Sequence, residues 1–453
     1  MDADVLERIV GRVPMRNPRA LSRTIMEMVA EGELPPGLRM PTVREVAEAL
    51  GMSPAGVAAA WRELVDWRVL ETKRRGGTSV LGPALARRAT RYDVMMKASV
   101  GIPLNLGHLT PDRTILPSLD RAFSAALKDA NMHDATPAPI SAMLREAVEP
   151  NWPFQPDFMM ATHGGIAAAE LALQTSVRPG DRVIVDSPTV SRILDILEAL
   201  GARAVPVTYR DGGPDLDELK KALAMRPAAF VYQPLGNHPT GFSVTPEWID
   251  KAADLLAKAH MPIIELVQTP LMHAQPWLSL GSRLPRIVVH VQAYNFFTGT
   301  DLRVGVAGGS DYYIDRMWQK LTFSSGWVSR ILQNALAFQL TDAKALADVR
   351  AFVETCRQRH TAMLDSLQRV GFDLPRTDGP TIWLPVPDEY VLTNQLSSRG
   401  IVVHPGSYFS PRPLDSHHVL INGAALGGGQ DAVADVIGSI VSAIAPLPMT
   451  RRA

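Results

Sequence analysis

Apolar positions in the first eighty residues recur at helical spacing and then switch to alternation. Leu21, Ile25, Met28 and Val29 fall on one face of a helix that Gly32 ends. Thr42-Val43-Arg44-Glu45 is a capping box, with threonine at the N-cap and glutamate three residues on, and its helix stops at Gly51. Ser53-Pro54 starts another helix. Serine is a good N-cap, and proline is tolerated in a first turn, where its missing N–H would have no partner anyway. That helix runs through Val57, Trp61, Leu64 and Val65. Two helices joined by a short turn around a glycine form a helix-turn-helix. Residues 68–81 then alternate about a basic, glycine-rich tip, which predicts a β-wing.

From Ile102 onward, apolar runs alternate with helical stretches at α/β spacing. Strands are predicted over 182–186, 228–232, 262–266 and 286–291, and their nearly unbroken apolar character fits parallel strands buried on both faces. Helices are predicted over 215–223 and 245–259, and a long one follows Asp342. A second α/β piece begins near Gly371. The chain divides into a winged helix-turn-helix at 1–81, a linker at 82–101, and an α/β domain at 102–446 whose smaller subdomain spans about 371–446.

Charge sharpens this division. The 453 residues carry 46 basic and 46 acidic groups, yet residues 1–92 hold 15 basic against 11 acidic. A basic end on a neutral chain suits a polyanion at that end only. The single cysteine, Cys356, excludes an internal disulfide framework, lies in a helical stretch without a base beside it, and fits a reducing cytoplasm. No apolar run reaches the roughly 18 residues that span a bilayer, and no Cys/His spacing matches a metal site.

Glu33-Leu34-Pro35-Pro36-Gly37-Leu38-Arg39-Met40-Pro41-Thr42-Val43-Arg44-Glu45, followed by Leu50-Gly51-Met52-Ser53 and Gly76-Gly77-Thr78-Ser79-Val80, resembles a GntR-family winged helix. The resemblance implies double-stranded DNA as partner, with Arg44 on the DNA, Ser53 on a phosphate, and the Gly76-Gly77 wing in the minor groove. Physical chemistry adds Arg62, the wing cations Lys73, Arg74 and Arg75, and Thr78 beside them, since phosphate contacts give salt-dependent affinity. The recognition helix lacks the arginines usual in its first turn, where Pro54 and Ala58 stand.

The larger domain resembles a fold-type I aminotransferase. Thr162-His163-Gly164-Gly165 matches its phosphate-cradling turn, Asp186-Ser187-Pro188-Thr189 its next strand end, Asn237-His238-Pro239-Thr240-Gly241 its Asn-Pro-Thr-Gly motif, and Arg303-Val304-Gly305 its Arg-x-Gly. A GntR domain fused to such a domain is the plan of MocR-type transcriptional regulators. The departures fall on the chemistry. Counting back from Arg303, the cofactor lysine is Phe296, and a phenyl ring cannot form a Schiff base. The aspartate under the pyridine nitrogen becomes Leu266 or Val267, the orienting tyrosine becomes Val190, and the substrate-carboxylate arginine becomes Leu420. No covalently held pyridoxal phosphate is therefore expected.

Gly164-Gly165 can still offer N–H groups to an anion, and Arg303 can still pair with one; equally, the glycines can serve the turn and Arg303 an internal ion pair. Phe296, with Tyr294 beside it, either stacks on a flat ligand or fills the volume that the cofactor left. His163 and His238 complete the expected effector pocket. The resemblance further implies a homodimer. The reading is a non-enzymatic, cytoplasmic DNA-binding regulator, with a carboxylate, phosphate or aromatic effector and no membrane partner. Two alternatives stand beside it: a pyridoxal-phosphate enzyme or covalent sensor using another lysine, such as Lys320, and a dimer that binds DNA without a ligand.

Overall fold

The computed structural model describes residues 2–66, 69–73, 77–82, 90–129, 134–210, 212–273 and 277–444. The chain forms two compact units, Met1–Ala89 and Thr90–Ala453.

The smaller unit opens with a helix that the sequence did not announce, α1 (Asp2–Arg12). Its polar start hides a narrow apolar stripe, and Val5 and Ile9 are buried in the unit's core. Next come α2 (Pro18–Ala30), α3 (Val43–Leu50) and α4 (Pro54–Asp66). The capping box on α3 forms both of its bonds: Glu45 N–H donates to Thr42 Oγ1 at 3.3 Å, and Thr42 N–H to Glu45 Oε2 at 2.7 Å. Gly51 closes α3 at φ +61°, a left-handed conformation that favours glycine. Ser53 Oγ accepts from Gly56 N–H at the start of α4. Val57, Trp61 and Leu64 bury one face of α4 against α2 and α3. The wing is an antiparallel pair, β1 (Leu70–Lys73) and β2 (Gly77–Val80), in register from Leu70 with Val80 to Lys73 with Gly77. Residues 37–40 add to its edge, with Gly37 N–H donating to Val80 O and Met40 N–H to Thr78 O.

The larger unit begins with α5 (Thr90–Ala98), so the helical second half of the expected linker belongs to this unit. Its sheet is built from β3 (Phe158–Thr162), β4 (Arg182–Ser187), β5 (Arg203–Arg210), β6 (Gly213–Pro214), β7 (Ala229–Tyr232), β8 (Ile263–Val267), β9 (Val288–Ala293) and β10 (Gly305–Gly309). Their order is β3-β10-β9-β8-β7-β4-β5-β6. The five strands from β9 to β5 are parallel, and all but β5 are almost wholly buried, whereas β10 runs antiparallel to both of its neighbours. The glycines of β10 explain its weak strand signal. A Cβ on Gly309 would stand 2.2 Å from Val288 O, and one on Gly305 2.9 Å from Gly164 C. Helices α6 (Gly165–Ser176) and α7 (Ser191–Ala199) follow β3 and β4, and the one-turn α8 (Asn295–Thr298) follows β9.

A long helix, α9 (Ala343–Arg369), joins this layer to the smaller subdomain. Cys356 is buried on α9, and burial pushes its thiol up to about 12, which leaves it inert. The subdomain sheet orders β11 (Thr381–Pro385), β13 (His418–Asn422) and β12 (His404–Pro405). The subdomain also borrows chain from the domain's beginning: Leu104-Asn105 pair with Ile401-Val402, and Leu106 sits in the subdomain core. Among the described residues no helix is long and apolar enough to cross a membrane.

Candidate functional site

The smaller unit presents exposed cations around its helix-turn-helix. Arg44 on α3 and Arg62 on α4 are exposed, as is Ser53 at the start of α4. Gly77 and Thr78 open β2, and Thr78 Oγ1 lies 3.0 Å from Thr72 Oγ1 across the wing. Arg74, Arg75, Gly76 and the Lys73 side chain lie outside the described residues. Arg39 is a cation that the motif reading left out. It bridges to Ser79 beside the wing, and a Cβ on Gly77 would stand 3.4 Å from its Nε. Its signal was present in the Gly37-Leu38-Arg39 run, but only the strand pairing shows that it joins the wing.

The larger unit holds a cleft of about 450 Å³ at the carboxyl ends of the parallel strands, the usual ligand crevice of open α/β sheets. The loop from β3 into α6 forms one end. Gly164 takes φ +91°, and a Cβ on Gly165 would stand 2.8 Å from Ala293 Cβ and 3.1 Å from Leu266 Cδ1. Only glycine lets the start of α6 sit this close to β8 and β9, where its first residues line the cleft. Arg303 lines the same end at φ +47°, a left-handed conformation that is uncommon outside glycine. Its neighbours Leu302 and Val304 are buried and fix the backbone, so the exposed guanidinium is turned out of the core.

Of the other expected pocket residues, His163, Val190, His238 and Phe296 line the cleft. Phe296 is 4% exposed and meets Phe352 of α9 edge-on at 5.8 Å, so most of the ring is core and a rim faces the cleft. Asn237 and Tyr294 are not on the cleft wall. Asn237 is fully buried and spends its amide on Asp186, Pro188 O and Thr240. Tyr294 donates to Gln292 Oε1 at 2.6 Å inside the core. Lys320 is exposed on another helix, and among the described residues no lysine lines the cleft.

Much of the lining escaped sequence reasoning. Tyr92, Met95 and Met96 of α5, Asn105 and His108 after it, and Arg192 of α7 all line the cleft. Leu420, at the expected carboxylate-arginine position, is sealed with Met95 and Phe409 in an apolar cluster. His108 and His404 meet with Nε2 atoms 3.3 Å apart, so one ring donates and the other, neutral, accepts. Burial pushes His404 down to about 3, lowers His108, and pushes His238 down to about 3. Asp186, fully buried beside Asn237, is pushed up to about 6 by burial, against the pull of its hydrogen-bond donors. Phe296 and Leu266 offer neither the amine nor the carboxylate that covalent pyridoxal phosphate chemistry requires. The α6 turn and Arg303 are suited to hold an anion without a bond. Among the described residues no cluster of three His, Cys, Asp or Glu side chains could hold a metal ion.

Comparison with known proteins agrees with this division. Residues 94–413 match the family "Aminotransferase class I and II", and residues 19–80 match "Bacterial regulatory proteins, gntR family". The chain is similar to the vitamin B6 salvage pathway transcriptional repressor PtsJ of Salmonella typhimurium, at 25% identity over 85% of this chain and 89% of that one. It is also similar to the HTH-type pyridoxine biosynthesis transcriptional regulator PdxR of Corynebacterium glutamicum, at 27% identity over 54% of each chain. Among solved structures, aspartate aminotransferase from Thermus thermophilus with maleate shares the fold with a TM-score of 0.67, at 24% identity over 78% of this chain and 96% of that one. The chain belongs to the aminotransferase class I and II family and carries a gntR-family domain before it, the two-part plan of MocR-type transcriptional regulators.

Proposed function

We propose that the protein is a homodimeric DNA-binding transcriptional regulator whose larger unit senses a small anionic molecule without forming a covalent bond to it. The observation that carries this reading is the cleft itself: Gly164, Gly165 and Arg303 line one cleft, and among the described residues no lysine is on its wall. Backbone N–H groups at a helix start, together with a guanidinium, favour a phosphate or carboxylate. Without an amine within reach, an aldehyde is held only by contacts. The names of PtsJ and PdxR both concern vitamin B6, which makes a phosphorylated pyridine the first compound to try. A ligand acts on DNA binding only if it favours one arrangement of the dimer over another.

The test has two arms. The full chain is mixed with one equivalent of pyridoxal 5′-phosphate, treated with borohydride and mapped by peptide mass spectrometry; only scattered, substoichiometric labelling of exposed lysines is expected, and a stoichiometric phosphopyridoxyl adduct on one lysine overturns the non-covalent reading. Operators are selected from random duplexes and their affinity is measured with and without the compound. A change in affinity supports sensing, whereas constant affinity across a metabolite panel favours a ligand-independent dimer.

A further inference from the structure

The same cleft is lined by a second cation that no family motif marks. Arg192 stands in the first turn of α7, half-buried, with its guanidinium over the Tyr92 ring of α5 at 4.6 Å from the centroid. Both residues line the cleft. A guanidinium stacked on a ring keeps its in-plane N–H donors available at the edge, and their fork matches a carboxylate. Among the described residues no carboxylate is paired with it. The two acids further along α7, Asp195 and Glu198, hold Arg91 instead, at 3.2 and 2.8 Å. The acid on the cleft wall, Glu170, takes the side-chain amide of Gln174.

The platform beneath Arg192 is itself anchored. Asp195 accepts from the backbone N–H groups of Arg91 and Tyr92 at 3.4 and 3.0 Å, so a buried carboxylate of α7 caps the start of α5. Tyr92 is therefore held in place to support the guanidinium. Meanwhile the position where the resemblance expects a carboxylate-binding arginine, Leu420, is closed by Met95 of the same helix.

Resting on the proposed anion-sensing cleft, we infer that Arg192, stacked on Tyr92, is the specificity-determining contact for a second, carboxylate-type anion on the effector. The ligand class is then a small phosphorylated carboxylic acid, with the phosphate at the Gly164-Gly165 turn and the carboxylate at Arg192.

Three matched probes test this on the full chain by calorimetry: benzyl phosphate, 4-carboxybenzyl phosphate and its neutral carboxamide, 4-carbamoylbenzyl phosphate. The carboxylate is expected to bind about tenfold or more tightly than the carboxamide, the scale of a charge-assisted pair. Arg192→Met erases that preference while benzyl phosphate binds as before. Tyr92→Phe keeps the preference and Tyr92→Ala weakens it. A preference that survives R192M, or its absence from the unaltered protein, overturns the inference and leaves the anion-sensing reading intact. If none of the three phosphates binds, or if all bind and Arg303→Met weakens none of them, the anion-sensing reading itself falls, and this inference with it.

Discussion

The two units handle charge in opposite ways. The smaller contains no histidine and displays arginines at its surface, whereas all eleven histidines lie in the larger, several of them buried and neutral. A surface that meets phosphates through bulk solvent needs permanent cations that cost little to leave exposed. A cleft that selects one small molecule gains from a dry interior with few charges, each held in place. The contrast teaches that the two ends are built for different depths of contact, and that they should fail under different conditions.

Acid should separate them most. An unfolded histidine titrates near 6.5, while burial pushes His238 and His404 down to about 3 and His273 down to about 4. Below about 6.5 the unfolded chain binds more protons than the folded one, so these groups withdraw stability as pH falls from 6.5 towards 4 and 3. Asp186 acts in the other direction, because a folded carboxyl pushed up to about 6 takes its proton before the unfolded one does. Three histidines outweigh one carboxyl. Calorimetry between pH 7.5 and 5 should show the larger unit's transition moving down while the smaller unit's stays; transitions that move together would break the comparison.

Phe296→Ala comes next. If the ring is mainly core, its loss costs about 3–5 kcal/mol of the larger unit's stability, read by denaturant unfolding, with DNA affinity in the absence of ligand unchanged. Unchanged stability with weaker ligand binding would instead make the ring a stacking platform. Arg44→Ala is the mirror experiment. Operator affinity should fall about tenfold or more, measured by fluorescence anisotropy, while the cleft's ligand binding is untouched. The smallest effect is expected from Thr42→Ala, which removes the α3 cap and should lower the smaller unit's melting temperature by a few degrees.

The same contrast governs what could be read from the chain. The capping box, the Ser53-Pro54 start and the apolar strands are local, because a few adjacent residues carry all the physics. α1 was missed because two buried apolar residues among charged ones make a weak pattern, and β10 because its glycines answer neighbours distant in sequence. In the cleft, the glycine turn and Arg303 belong to short motifs and were legible. The α5–α7 wall was not, since Tyr92 and Arg192 meet only after folding and neither stands in a recognisable spacing. Asn237 shows the reverse error: His238 stands between it and Pro239 and takes the place on the cleft, while the Asn237 amide is consumed by Asp186, Pro188 and Thr240.

The glycine packing at the head of α6 has one more consequence. With Gly165 against Ala293 and Leu266, and Gly305 against Gly164, that corner of the cleft has no slack to take up. Its ordering is complete before any guest arrives, so docking an anion there freezes little and leaves the corner where it was.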